Sequence, residues 1–117
     1  MEVVRRALEH SLVFGLFDTG SPRADGLPGQ IGLARVITDR ATFAYISDVF
    51  VLYRYRGGGL SKWLMEVITA HPQLQGLRRW MLLTADAHGL YRRFGFSEPA
   101  QPERIMERVN PRVYDQA

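Results

Sequence analysis

The chain contains no cysteine. That single absence removes disulfides, thiolate nucleophiles and Cys-ligated zinc. Lysine is nearly missing too: Lys62 stands alone among 15 basic residues, so arginine carries the positive charge. No apolar run approaches the ~20 residues that a membrane span needs, and no membrane partner is expected. Internal repeats and low-complexity tracts are lacking. The opening Met1-Glu2-Val3-Val4-Arg5-Arg6 reads as the start of a helix rather than a secretory leader, so a cytoplasmic location is expected.

What remains fits one compact domain spanning residues 1–117. Hydrophobic content of 46% against 23% charged is ordinary for a globular chain and argues against disorder. The net charge is +3. Its arginine pairs (Arg5-Arg6, Arg78-Arg79, Arg92-Arg93) are scattered along the chain. A nucleic-acid groove would want them clustered with interleaved aromatics, so no nucleic-acid partner is expected.

Val3, Val4, Ala7 and Leu8 share one helical face within Val3 to His10. Leu12 to Phe17 reads as a strand. The breaker-rich stretch from Thr19 to Gly29 is a loop. Ile31 to Thr38 and Thr42 to Leu52 are strands joined by a turn at Asp39-Arg40, which gives an antiparallel meander. From Leu60 the pattern changes. Leu60, Trp63, Leu64, Val67 and Ile68 have helical spacing, and His71-Pro72 ends the helix. Arg79 to Thr84 is a further strand. Asp86 is placed to cap a short helix carrying Leu90, Tyr91 and Phe94, with Gly95 as its stop. Glu103 to Val109 reads as a last strand. The class is α+β, with a mostly antiparallel sheet as its spine.

Three glycines, Gly57-Gly58-Gly59, separate a strand from a helix. Such a loop aims backbone N–H groups at a ligand, and the start of the next helix adds free donors and a positive dipole end. That is the chemistry of a phosphate site; a plain flexible turn is the other reading. A Walker A loop would need Lys-Ser/Thr straight after the last glycine, and Leu60-Ser61-Lys62 has the wrong order. A dinucleotide fingerprint would need glycine where Lys62 stands.

The sequence resembles the Gcn5-related N-acetyltransferases, or GNAT family. Arg56-Gly57-Gly58-Gly59-Leu60-Ser61 is similar to their Gln/Arg-x-x-Gly-x-Gly/Ala signature, with Ser61 as the one departure. Leu90-Tyr91-Arg92-Arg93-Phe94-Gly95-Phe96 matches the family's Leu-Tyr-x-x-x-Gly-Phe motif. The likeness runs from about Leu12 to Val109.

The resemblance implies acetyl-CoA as co-substrate and transfer of its acetyl group to an amine. It implies that Val49, Phe50 and Val51 pair with the pantetheine arm along a strand that splays from its neighbour. The pyrophosphate then rests on N–H groups of Gly57, Gly58, Gly59, Leu60, Ser61 and Lys62, with Arg56 adding charge. Tyr91 takes the place of the general acid. Its ordinary pKa near 10 against about 8.5 for a thiol opposes full transfer by about 2 kcal/mol, which favours hydrogen bonding to the sulfur. The amine must also lose a proton, a handicap of about 4–5 kcal/mol at neutral pH. Asp48 is the first candidate to receive it. Its neighbours Tyr45-Ile46-Ser47 and Val49-Phe50 suggest a buried carboxylate, and a residue hydrogen-bonded in the sheet or at a bulge is the competing reading. His88 is the second candidate. Asp86 reads as a cap or a cofactor contact.

Family members ordinarily open with a strand and a helix ahead of the elements seen here. Leu12 to Asp18 is therefore expected to be an apolar edge covered by some partner, with a homodimer as the first choice. The acceptor is a small-molecule or peptide amine of unread identity. An acyl-CoA-binding module without efficient turnover is the alternative.

Overall fold

The computed structural model describes residues 2–20, 23–26 and 29–115. Its spine is a four-stranded sheet of order β1-β2-β3-β4. Strands β1 (Leu12–Asp18), β2 (Gly29–Thr38) and β3 (Phe43–Val51) form the expected antiparallel meander. Strand β4 (Arg79–Leu82) lies parallel to β3, across a connection that carries helix α2 (Leu60–Ala70). Helix α1 (Glu2–Glu9) precedes the sheet and the short helix α3 (His88–Arg92) comes after it. No helix among the described residues is long and apolar enough to cross a membrane.

The helical spacing read from Leu60 onward buries one stripe of α2. Leu64, Met65 and Ile68 pack with Leu16, Ala34, Val36, Ala44 and Ile46 from the first three strands, and Leu74 and Tyr91 join the same cluster. Full burial of an aliphatic side chain here is worth about 1.5–3 kcal/mol, and this seam holds the site's strand against the site's helix.

The turn between β2 and β3 is tied by one side chain. Asp39 Oδ1 accepts from the N–H groups of Ala41, Thr42 and Phe43, and Oδ2 accepts from the Thr42 hydroxyl. These donors hold the Asp39 carboxyl well below the usual carboxylate range.

Three expectations about the elements fail. Glu103 to Val109 is not a strand: Pro102–Arg104 makes a 3-10 turn and residues 105–110 have no regular structure. Proline at the start of that turn favours the tight bend, and no strand of the sheet pairs with residues 105–110. Asp86 is not the cap of α3. Ala87 occupies the cap position, and its N–H donates to Thr84 Oγ1 at 3.0 Å. Strand β4 also stops at Leu82, short of the expected Thr84.

Candidate active site

The site begins where two strands part. Strands β3 and β4 pair from Phe43↔Arg79 to Ile46↔Leu82 and no further. Beyond Ile46, β3 continues to Val51 with only β2 beside it. Those backbone groups between Ser47 and Val51 that point away from β2 thus face an open cleft on the β4 side, an edge that an extended ligand can extend by hydrogen bonding.

A bulge lies where the strands part. The β2–β3 register passes from Arg35↔Ser47 to Leu33↔Phe50, so Asp48 and Val49 together oppose Ala34. Asp48 sits at φ 55, the left-handed region that a non-glycine residue enters at a cost of about 1–2 kcal/mol. The bulge also overturns the expected burial of Asp48. Its side chain is 57% exposed and ion-paired, with Arg35 Nε donating to Oδ2 at 2.8 Å. Val51 is buried, Val49 partly so, and Phe50 points outward at 43% exposure.

The cleft has a volume of about 370 Å³ and is lined by Tyr45, Ser47, Asp48, Thr84, Asp86 and Tyr91 among others. Asp48 and Tyr91, both singled out from the sequence, therefore meet in one cavity. Tyr91 is buried at 8% exposure and packs edge-on against Phe96. Burial raises the pKa of its phenol above 10.0, and the charge of Asp86 adds to the rise. The phenol is thus a proton-bearing donor at neutral pH, and it makes no hydrogen bond among the described residues. His88 falls elsewhere. It lines a second groove, of about 520 Å³, beyond β4. Tyr91 borders both cavities.

The glycine loop is joined to β3 through a short turn at Tyr53–Tyr55. Gly57 and Gly59 have φ of 86° and 82°, and Gly59 is the left-handed cap of α2. The first helical bond runs from Trp63 N–H to Gly59 O, which leaves the N–H groups of Gly57 to Lys62 without a backbone acceptor among the described residues. A Cβ built at Gly57, Gly58 or Gly59 would meet no atom within 4 Å. The glycines therefore do not relieve crowding within the protein; they keep space open above a row of free donors. A row of free backbone donors at a helix start has the chemistry of an anion site.

Two contacts with no signal in the sequence hold the loop. Tyr55 donates its hydroxyl to Asp18 Oδ2 at 2.7 Å, tying the loop to the end of β1. Arg56 Nε donates to the Val51 carbonyl at 2.8 Å, and its guanidinium lies 5.7 Å from the Tyr53 ring centre. Arg56 is therefore folded back on the strand end, and its outer nitrogens make no hydrogen bond among the described residues. The influence of Asp86 on Tyr91 likewise has no sequence signal, because it arises from proximity in space.

A family model described as an acetyltransferase (GNAT) domain matches residues 23–98. A Gibberella zeae protein named a "putative acetyltransferase" is 38% identical over 98 residues, which cover 73% of this chain and 54% of that protein. The chain thus spans about half the length of this curated relative. A crystal structure of a GNAT-family protein from Xanthomonas campestris superposes with a TM-score of 0.85 at 52% identity, covering 98% of this chain and 75% of the other. A Staphylococcus aureus protein of unknown function gives a TM-score of 0.70 at 26% identity, with coverage of 93% and 78%.

Proposed function

Because the chain belongs to the GNAT acetyltransferase family, we propose that it binds acetyl-CoA in the cleft between β3 and β4. We propose further that the acetyl group passes to a primary amine by direct attack. The observation that carries the reading is the run of N–H groups from Gly57 to Lys62 without a backbone acceptor among the described residues, on the chain just after the stretch of β3 that β4 does not pair. Backbone donors at a helix start suit a pyrophosphate, and the side of Val49, Phe50 and Val51 that β4 does not pair suits the amides of a pantetheine arm. A Clostridium acetobutylicum structure with acetyl-CoA shares this fold at 14% identity and a TM-score of 0.61.

The thioester supplies an activated acyl carbon. The amine nitrogen bonds to that carbon, the carbon–sulfur bond breaks, and the thiolate leaves. Tyr91 holds its phenolic proton toward the sulfur. Its raised pKa makes it a hydrogen-bond donor to the developing thiolate more than a source of a fully transferred proton. Asp48 borders the same cleft and receives the proton lost by the amine, directly or through water. Arg56, through its outer nitrogens, adds charge beside the phosphates. The acceptor is a small-molecule or peptide amine. A second copy of the chain covers the outer edge of β1, where Val13 and Phe17 are 45% and 56% exposed.

The test is release of free thiol from acetyl-CoA across a panel of amines, run beside a thermal shift with acetyl-CoA. Amine-dependent thiol release supports the proposal. Binding without turnover would leave an acyl-CoA-binding module, and neither response would overturn both.

A further inference from the structure

Arg35 occupies the middle of β2, between Ala34 and Val36, which are fully buried. A guanidinium in that position must find partners, because an unpaired buried cation is costly. Its side chain is 13% exposed, and its hydrogen bonds run toward the bulge and the start of β1. Nε donates to Asp48 Oδ2 at 2.8 Å, and one outer nitrogen lies 3.4 Å from the Ser47 hydroxyl. The other donates to Ser11 Oγ at 3.1 Å, and Ser11 donates in turn to the Ala7 carbonyl of α1 at 2.6 Å.

The rigid fork of arginine thus clamps two places that the sequence keeps far apart: Ser11, and the adjacent pair Ser47 and Asp48. Asp48 is a non-glycine residue held in a left-handed conformation. Such conformations persist where surrounding contacts over-determine them, and Arg35 supplies the one ion pair that Asp48 makes among the described residues. Asp48 Oδ1 has no hydrogen bond among these residues.

We infer that Arg35 is a positioning residue for the acceptor amine: it grips Asp48 by Oδ2 and presents Oδ1 to the incoming ammonium at the mouth of the cleft. The inference rests on the proposed acetyl transfer, with Asp48 as the group that receives the amine's proton. Arg35 touches neither the phosphate cradle nor Tyr91, so its effect falls on the acceptor half of the reaction.

The experiment compares Arg35→Met, Arg35→Gln and Arg35→Lys with wild type and with Asp48→Asn. Arg35→Met keeps the acetyl-CoA thermal shift and loses at least about tenfold in kcat/KM for the amine. Arg35→Lys, which keeps a charge within reach of Asp48, recovers most of that loss. Arg35→Met combined with Asp48→Asn is no worse than Asp48→Asn alone, the signature of one residue acting through another. A crystal structure of Arg35→Met shows the Asp48 carboxylate displaced. Arg35→Gln carries the same comparisons should the methionine variant fail to fold. Unchanged kcat/KM, additive losses, or an unmoved Asp48 would each overturn the role. If wild type turns over no amine, the proposed reaction is what fails. The position of Asp48 in the Arg35 variant then still decides whether Arg35 holds it.

Discussion

Tyr91 lines both cavities of the candidate site. It borders the cleft with Asp48 and the groove with His88, and its ring sits in the core. Tyr91→Phe removes the hydroxyl and keeps the packing, so roughly a 10- to 100-fold fall in kcat is expected, with the acetyl-CoA thermal shift retained. Thiol-release kinetics check this, and an unchanged kcat removes the donor role. The raised pKa also has a sign in stability. Folding favours the neutral phenol, so its contribution is present below the ordinary value of 10.0 and is lost as pH rises through the higher folded value. Thermal melts from the ordinary value of 10.0 upward should fall more steeply with pH for wild type than for Tyr91→Phe.

The elements around the site differ in how far residue order alone reveals them. Helix α2 is legible because Leu60, Trp63, Leu64, Val67 and Ile68 repeat at helical spacing and Pro72 bounds them. The meander is legible from its breakers. The bulge is legible only as one of two readings of Asp48, because register is a property of two strands and nothing in Ser47-Asp48-Val49 announces a positive φ. Arg35 offers a faint signal, a charge within Leu33-Ala34-Arg35-Val36-Ile37, yet its partners lie 12 to 24 residues away. The segment from Glu103 misleads because a short run holding Ile105, Met106 and Val109 becomes a strand only when a sheet edge receives it.

The same elements give two tests. Gly59→Ala places a side chain at φ 82 with no protein atom within 4 Å, so the fold should lose only about 1–2 kcal/mol, from backbone strain. Acetyl-CoA affinity should drop much further, because the cap that aims the donors is strained. Calorimetric titration beside a urea melt separates the two, and equal affinities contradict the cradle. Asp39→Ala removes four acceptor contacts from the β2–β3 turn and should lower the melting temperature at neutral pH. The Asp39 pKa is depressed on folding, so its stabilisation is full above the ordinary value of 3.8 and fades as pH falls below it. The gap between variant and wild type should therefore narrow in acid.

At the scale of the whole molecule, the sheet holds the proposed cofactor and acceptor sites on separate supports. The phosphate cradle hangs from α2 and β3 and is latched to β1 by the Tyr55–Asp18 bond. The proposed proton acceptor is held from the middle of β2 and from the junction of α1 with β1. Both rely on β1, which has no neighbour on its outer side among the described residues. A dimer that covers β1 would steady both halves at once. Sedimentation should show a dimer at micromolar concentration, and a concentration-independent monomer would remove that part of the proposal.

Everything proposed for the site depends on acetyl-CoA occupying the cleft between β3 and β4. Thermal unfolding against acetyl-CoA concentration tests that occupancy most directly. A ligand at 100 times its Kd stabilises the native state by about 2.7 kcal/mol, or roughly 5–15 °C for a chain of this size. The melting temperature should climb with the logarithm of acetyl-CoA concentration, with a markedly smaller rise in Gly59→Ala. A melting temperature that stays flat into the millimolar range would contradict it.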